Sequence, residues 1–288
     1  MTTTGLPSNW GRWGAQDQRG ALNLLTPERV ARALAAPRQG RVYTLGAEVS
    51  KRGVITGKRN ATWHVVTQVQ DPDDPGRGRA EDVLTMHTHA HTHIDGLAHA
   101  WFDGKLYNGV PAQGAVGRGG TRHGGVDQYG GIIGEAVVLD VTAVREIGPG
   151  VAITAEDLNA AATRTGVDPA AADILLIRTA WTDVFARDPE LFEQGYPGLA
   201  PDGAKWVAEQ DPAVLGMDAP AFETVPPPPG VDPLACHHLF LHRMGIPLIE
   251  SMDLAEIAAD GVTGGLFMAA PLQIKGGLGS PVNPLLVV

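Results

Sequence analysis

Cysteine is almost absent from this sequence: Cys236 is the single example in 288 residues. One cysteine excludes a disulfide framework and any zinc site built from cysteine thiolates. Serine is also scarce, and none of the four serines lies in a G-x-S-x-G motif, so the triad of an α/β-hydrolase is not expected. Histidine and the acidic residues remain as candidates for metal binding and catalysis.

Positive charge is scarce as well. The net charge is −10 and the basic residues form no run, which makes nucleic acids and anionic membranes poor partners. The first residues lack the apolar core of a signal peptide, and no stretch approaches the length of a membrane span. We therefore expect a cytoplasmic protein that acts on a small molecule and binds neither nucleic acid nor membrane.

Histidine is concentrated in one stretch. Five of the fourteen residues at 86–99 are histidine, although the whole chain has only ten. Alternate residues of a strand point to the same face, and threonine favours strands over helices. The stretch therefore predicts a strand with a row of imidazoles on one face. That face contains Thr85, His87, His89, His91, His93 and Asp95.

Such a row of imidazoles is typical of a metal site. Neutral imidazole is the commonest protein ligand for metals, and a carboxylate such as Asp95 can bridge two ions. The competing interpretation is a polar strand face exposed to water. Four alternating histidines followed by Asp95 and His99 favour the metal site, whose nitrogen and oxygen ligands suit Zn²⁺ and Mn²⁺ equally.

The chain as a whole predicts one mixed α/β domain. No internal repeat and no linker divides it. We treat residues 1–288 as a single domain in which residues 1–40 form an N-terminal arm and helix. The other expected elements are a helix from Thr26-Pro27-Glu28 to about Arg38, strands at 42–49, 136–141 and 174–177, and a helix from the capping box at Thr154 to Gly166.

Other metal-binding patterns fit the stretch less well. His91, His93 and Asp95 form the H-x-H-x-D pattern of metallo-β-lactamase sites, which also need a histidine where this chain has Gly96. H-x-H after a strand occurs in barrel amidohydrolases, but this chain has no eightfold strand–helix repeat. Cupins need a glutamate a few residues after the histidines, and this chain has none there. The zinc-binding motif H-E-x-x-H does not occur either.

The spacing of His89, His93, Asp95 and His99 resembles the motif H-x-G-T-H-x-D-x-x-x-H. That motif belongs to the cyclase family of metal-dependent hydrolases, which includes bacterial kynurenine formamidase and isatin hydrolase. Residues 89–99 read HAHTHIDGLAH, with His91 in place of the glycine. The likeness covers nearly the whole chain, including NWGRWG near the start, FDGKLYNG after His99, DILLIRTAWTDVF at 173–185 and PLQIKGGLGSPVNP near the end.

The family also has a distal histidine and glutamate twelve residues apart. His238 and Glu250 have that separation, and the segment SMDLAEIAA follows with acidic and apolar residues. His237 and His242 do not have it. The resemblance therefore assigns the distal position to His238, with the adjacent His237 as the alternative.

The resemblance implies a fold and a metal centre. The fold is a compact α/β domain around a mixed β-barrel-like sheet with surrounding helices, assembled as a homodimer or homotetramer. The centre holds one or two divalent ions, Zn²⁺ or Mn²⁺. Its implied ligands are His89, His93, Asp95, His238 and Glu250, with Asp95 shared between the two ions.

The implied activity is hydrolysis of the C–N amide bond of a small linear or cyclic aryl amide by metal-activated water. His99 would be free of metal and would act as general acid and base. The candidates for substrate binding are Trp13, Trp101 and His91, the last narrowing or repolarising the pocket where the family has glycine. Two alternatives stay open: a metal-dependent cyclase or dehydratase acting on a natural-product intermediate, and a non-catalytic metal-binding protein.

Overall fold

A mixed sheet lies at the centre of the computed structural model, which describes residues 6–51 and 62–288. Within these residues the sheet has nine strands and forms a half-barrel. With strands numbered in chain order, the spatial order is β1 (Val42–Thr44), β15 (Leu285–Val287), β13 (Gly264–Ala269), β7 (Ile132–Asp140), β9 (Ile174–Arg178), β11 (Val214–Met217), β12 (Leu248–Glu250), β4 (His93–Asp95) and β14 (Gly279–Pro281).

The middle of this sheet is parallel and its two sides are antiparallel. Strands β7, β9, β11 and β12 run parallel to their neighbours in that group. They are rich in branched apolar residues, and β11 and most of β9 are buried, as expected for strands covered on both faces. Strand β4 pairs antiparallel with β12 on one side and β14 on the other. The predicted mixed α/β domain is therefore confirmed.

Helices and short ribbons surround the sheet. The helices are α1 (Pro27–Leu34), α2 (Ala155–Thr165), α3 (Trp181–Arg187), α4 (Pro189–Glu193), α5 (Pro201–Glu209), α6 (Ala235–His237) and α7 (Ala255–Ala259), with a π-helix at His238–Met244. Turns of 3₁₀-helix lie at Gly20–Leu24, Tyr107–Gly109, Val126–Gln128, Val141–Ala143 and Pro169–Ala171. The ribbons pair β2 (Trp63–Gln70) with β3 (Gly78–Thr85), β5 (Val116–Gly117) with β6 (Gly120–Thr121), and β8 (Ala152–Ile153) with β10 (Gly198–Leu199). Among the described residues no helix has both the length and the apolar character needed to cross a bilayer.

Local sequence signals account for several of these boundaries. The side chain of Thr26 caps α1 as predicted. The helix ends at Leu34, before the expected Arg38, because Pro37 disfavours helical backbone at the residue preceding it. The capping box of Thr154 forms, and α2 is followed by Gly166 in the left-handed conformation.

The N-terminal arm reaches across to the π-helix. The backbone N–H of Asn9 donates to the carbonyl of Arg243, and that of Ala21 donates to Gly245. Residues 6–40 therefore contain an arm followed by α1, in keeping with the predicted arm and helix. Residues 1–5 lie outside the described part of the chain, so the full 1–40 boundary stays a prediction.

The histidine stretch is not one continuous strand, contrary to our prediction. Strand β3 ends at Thr85 and β4 begins at His93, and the residues between them form turns. The side chain of Thr92 accepts a hydrogen bond from the N–H of Ala47 and donates one to the carbonyl of Ser251. The prediction that alternate side chains lie on one face of a strand therefore holds only for His93 and Asp95.

Candidate metal centre

Strand pairing brings the first three polar side chains together. His93 and Asp95 lie two residues apart on β4, so they share a face. Glu250 ends the neighbouring strand β12 and is directly opposite His93 in the antiparallel register. The Nε2 atom of His93 lies 3.5 Å from Asp95 Oδ1 and 3.4 Å from Glu250 Oε2. All three residues are buried.

The turns on either side of β4 supply two more imidazoles. His89 precedes the strand, and its Nε2 lies 3.2 Å from Asp95 Oδ1. His99 follows the strand, and its ring stacks on that of His89 at a centroid distance of 4.4 Å. Gly279 on β14 makes room for this pair, because a Cβ at that position would overlap the His89 ring. The structure thus brings together His89, His93, Asp95, His99 and Glu250, five of the residues to which the sequence and the family resemblance assign the site, and their individual roles stay predictions.

Helix α6 contributes His237. Its Nε2 lies 3.5 Å from Asp95 Oδ2 and 3.6 Å from Glu250 Oε1. Its other ring nitrogen, Nδ1, lies 2.8 Å from Glu223 Oε2, and its backbone N–H donates to Glu223 Oε1. A carboxylate on Nδ1 fixes the ring and leaves the Nε2 lone pair directed into the cluster, as in many metal-binding histidines.

His238 does not join Asp95 and Glu250, which corrects the predicted placement. Its Nδ1 lies 3.3 Å from Asp232 Oδ2 and its ring packs on Phe102 at 4.8 Å. Successive residues of a helix point about 100° apart, so only one of His237 and His238 can face the cluster. The π-helix that follows closes its hydrogen bonds from residue i to i+5 and takes an extra residue per turn. His237 precedes Glu250 by thirteen residues, one more than the separation that the family resemblance implies.

The cluster contains polar atoms that nothing in the described residues satisfies. They are His89 Nε2, His93 Nε2, both carboxylate oxygens of Asp95, and Glu250 Oε1, all buried and without a hydrogen-bond partner there. Unsatisfied buried polar groups are costly. His93 donates its Nδ1 proton to the carbonyl of His91, so in its neutral form Nε2 presents a lone pair to two carboxylates. Divalent cations would satisfy these atoms, and the donor set therefore fits a metal centre.

Asp95 is common to two possible ligand groups. The ligand atoms of His93, Asp95 and Glu250 lie within 4.8 Å of one another, and so do those of His89, Asp95 and His99. A central carboxylate shared in this way suits a bridge between two ions. The second group also contains His99, which leaves both a ligand role and a proton-transfer role compatible with its position.

The electrostatics of the cluster favour cations. Burial opposes charge on His93, but the carboxylates of Asp95 and Glu250 outweigh it and raise the pKa of His93 to about 10. Burial, together with the charge of Asp95, raises the pKa of Glu250. Burial lowers the pKa of His99 to about 4. Without a metal ion, therefore, protons must take up part of the negative charge of the two carboxylates.

A cavity of about 300 Å³ opens next to the cluster. His99, His237 and Glu250 form part of its wall, so groups of the candidate metal centre are in contact with its interior. The remaining wall combines apolar side chains with the carboxylates of Glu193 and Glu223. It includes Phe192, Tyr196, Pro220, Ala221, Val225, Pro233 and Leu234.

The three residues predicted to bind substrate do not line this cavity, which corrects the predicted lining. His91 turns away and places Nε2 3.1 Å from the hydroxyl of Thr62, because residues 86–92 form turns and not a strand. Trp13 lies under the guanidinium of Arg12 in the N-terminal arm. Trp101 is 46% exposed on the surface.

Comparison with known proteins agrees with this fold. A search of the curated proteins finds no match. The chain is similar to a crystal structure described as a novel cyclase, with a TM-score of 0.87 and 29% identity over 98% of this chain and 100% of that one. It is also similar in fold to isatin hydrolase A from Labrenzia aggregata, with a TM-score of 0.61 and 21% identity over 92% and 98% of the two chains. A third structure similar in fold is that of a predicted metal-dependent hydrolase from Bacillus stearothermophilus. Its TM-score is 0.52 and its identity is 21%, over 86% of this chain and 98% of that one.

A family model agrees with the resemblance seen in the histidine motif. The model described as Putative cyclase matches residues 34–224, which is well over half of the chain. This range contains the histidine motif and strands β4, β7, β9 and β11. The protein belongs to this cyclase family.

Proposed function

We propose that this protein is a metal-dependent hydrolase that cleaves the C–N amide bond of a small linear or cyclic aryl amide. The observation that carries the proposal is the convergence of buried, unpartnered imidazole and carboxylate atoms next to one cavity, whose wall includes Glu250 of that cluster. A storage site would need no such access to a cavity.

Five residues would hold the metal. They are His89, His93, Asp95, His237 and Glu250, with Asp95 shared between two positions. This replaces His238 with His237 in the set that the family resemblance implied. We propose Zn²⁺ or Mn²⁺, at one or two ions per chain, because nitrogen and oxygen ligands suit both. A divalent ion held there would lower the pKa of a bound water to about 7 and polarise a carbonyl.

His99 is the proposed proton-transfer group. It lies on the cavity wall beside His89 and close to Asp95, and it comes from a turn and not from a strand of the sheet. Amide cleavage needs a base for the attacking water and an acid for the departing nitrogen. An imidazole in contact with the cavity can perform both steps in turn.

The cavity favours a small, neutral, aromatic substrate. Its volume of about 300 Å³ lies at the lower end of the range for ligand pockets. Phe192 and Tyr196 provide apolar aromatic surface, while Glu193, Glu223 and Glu250 contribute acidic groups. No lysine or arginine lies among the described residues of its wall. A substrate with a free carboxylate would therefore find no compensating charge there other than the metal.

The test is a substrate screen with the metal-loaded protein. Aryl formamides, isatin and small lactams would be followed by ultraviolet absorbance, with metal-free protein as the control. The proposal predicts metal-dependent hydrolysis of at least one aryl amide. A ring-closing or dehydration activity would instead support the alternative activity, and stoichiometric metal without any turnover would indicate a non-catalytic metal-binding protein.

A homo-oligomer and a cytoplasmic location also stay proposals. The expectation of a homodimer or homotetramer comes from the family resemblance.

A further inference from the structure

Helix α6 and the residue before it have two different faces. Leu234 and His237 are three positions apart, and both line the cavity next to the candidate metal centre. Ala235 and His238 have the same spacing, and both line a smaller cavity of about 150 Å³. Residues three apart in a helix lie on the same face. The face that carries the His237 imidazole therefore also carries the Leu234 side chain.

The backbone of Leu234 is fixed where this helix begins. Its N–H donates to Oδ1 of Asp232 at 2.9 Å, and its carbonyl accepts from the N–H of His238 at 2.9 Å. The N–H of Ala235 donates to the carbonyl of Asp232 at 3.0 Å. The Leu234 side chain thus starts from a fixed point in the wall, so its size sets the width of the cavity there.

Leu234 has apolar surface that a ligand can cover. It is 48% exposed, and among the exposed large apolar residues of the described chain it alone lines this cavity. Phe192 lines the cavity too, but it is only 2% exposed because it packs against Trp181 and Phe185. A ligand would therefore remove more apolar area from water at Leu234 than at Phe192, and the burial of such area favours binding.

The position of Leu234 distinguishes it from other exposed leucines. Single exposed apolar residues are common and need no function, and Leu272 is 57% exposed without lining this cavity. Leu234, however, shares its wall with His99, His237 and Glu250. An aryl amide with its carbonyl at the metal centre would place its ring in the same cavity, where Leu234 offers apolar surface.

We propose that Leu234 determines substrate specificity: its side chain packs on the aryl group of the substrate and so favours aryl over alkyl amides. This inference rests on the proposed function, because it assigns a role within the cavity of that reaction. Selectivity between two such substrates depends on apolar contacts that only one of them makes. Leu234 therefore acts on the binding of the ring and not on the metal or the amide carbonyl.

The test compares benzohydroxamate with acetohydroxamate. Both carry the same metal-chelating group, but only benzohydroxamate has an aryl ring. Titration calorimetry with the metal-loaded full chain should show tighter binding of benzohydroxamate. Leu234→Ala should weaken benzohydroxamate roughly 10-fold, the lower end of the range for apolar contacts in a pocket, and should leave the affinity for acetohydroxamate unchanged. In hydrolysis of formanilide the same variant should raise KM and leave kcat unchanged, the pattern of a lost ground-state contact.

Two further variants serve as controls. Leu234→Met should keep the selectivity of the parent, since methionine is apolar and similar in volume. Leu272→Ala also truncates an exposed leucine, and it should change neither affinity. If Leu234→Ala leaves benzohydroxamate binding unchanged, or weakens both hydroxamates equally, the inference is overturned while the proposed function stands. If acetohydroxamate does not bind the metal-loaded parent, the metal centre itself is contradicted, and both proposals fail.

Discussion

Glu223 binds His237 twice, through the ring Nδ1 and through the backbone N–H. Both groups are buried, and the outward Nε2 of His237 faces Asp95 and Glu250. The ring is therefore fixed in the tautomer that a metal ligand needs.

Glu223→Gln should weaken metal binding by roughly 10- to 100-fold, the usual effect of removing a carboxylate behind a metal-binding histidine. Competition with a chromogenic chelator would measure the affinity. Glu193→Gln is the matched control, since Glu193 is an acidic residue that lines the same cavity. Unchanged affinity in Glu223→Gln would show that Glu223 does not support a ligand.

The two adjacent histidines of the helical segment should behave differently. His237→Ala should release metal, because His237 faces both carboxylates, while His238→Ala should retain it, because His238 faces Asp232 and Phe102. Elemental analysis of the two purified variants provides the measurement. If His238→Ala loses metal and His237→Ala retains it, His238 is the ligand, as the family spacing implied.

The variant His99→Ala tests whether His99 is a general acid–base group or a metal ligand. We expect the variant to keep its metal and lose roughly 10²- to 10⁴-fold in turnover, the usual contribution of a general acid–base group. Metal content and kcat would be measured on the same preparation. Loss of metal together with activity would make His99 a ligand, which its position beside His89 and Asp95 also allows.

Metal affinity should rise with pH. In the metal-free protein the pKa of His93 is raised to about 10, so this imidazole carries a proton at neutral pH and must release it to bind an ion. Acid therefore opposes binding, and the affinity should increase by about tenfold or more per pH unit through the neutral range. Calorimetry in two buffers of different ionisation enthalpy would count the protons. A pH-independent affinity would argue against His93 as a ligand.

The β2–β3 hairpin is an exposed surface suited to the homo-oligomer that the family resemblance implies. Every residue of both strands is exposed, and a lone two-stranded hairpin is marginally stable in water. Trp63, Val65 and Val83 share one face, with Val65 directly opposite Val83. Light scattering should therefore show a homodimer or homotetramer, and Val83→Asp should dissociate it. Gln68→Asp on the other face is the control, and a monomeric parent protein would contradict the expectation.

Several features of this protein follow from local sequence. The helix cap at Thr26, the capping box at Thr154 and the buried strand near Ile174 depend on residues that are close in the chain. His93 and Asp95 share a face because side chains alternate along a strand. The spacing of the histidine motif was enough to identify the family, since that pattern is carried by a few consecutive residues.

Tertiary structure decided the rest of the site. A helix turns by about 100° per residue. A shift of one position therefore exchanges His237 for His238, and only the tertiary structure fixes which of them faces Asp95. Glu223 is fourteen residues from His237, in a segment without a recognisable pattern. His91 left the predicted row because residues 88–92 form turns and bends, and the side chain of Thr92 next to it bonds to Ala47 and Ser251. Those contacts join distant parts of the chain, and local periodicity carries no information about them.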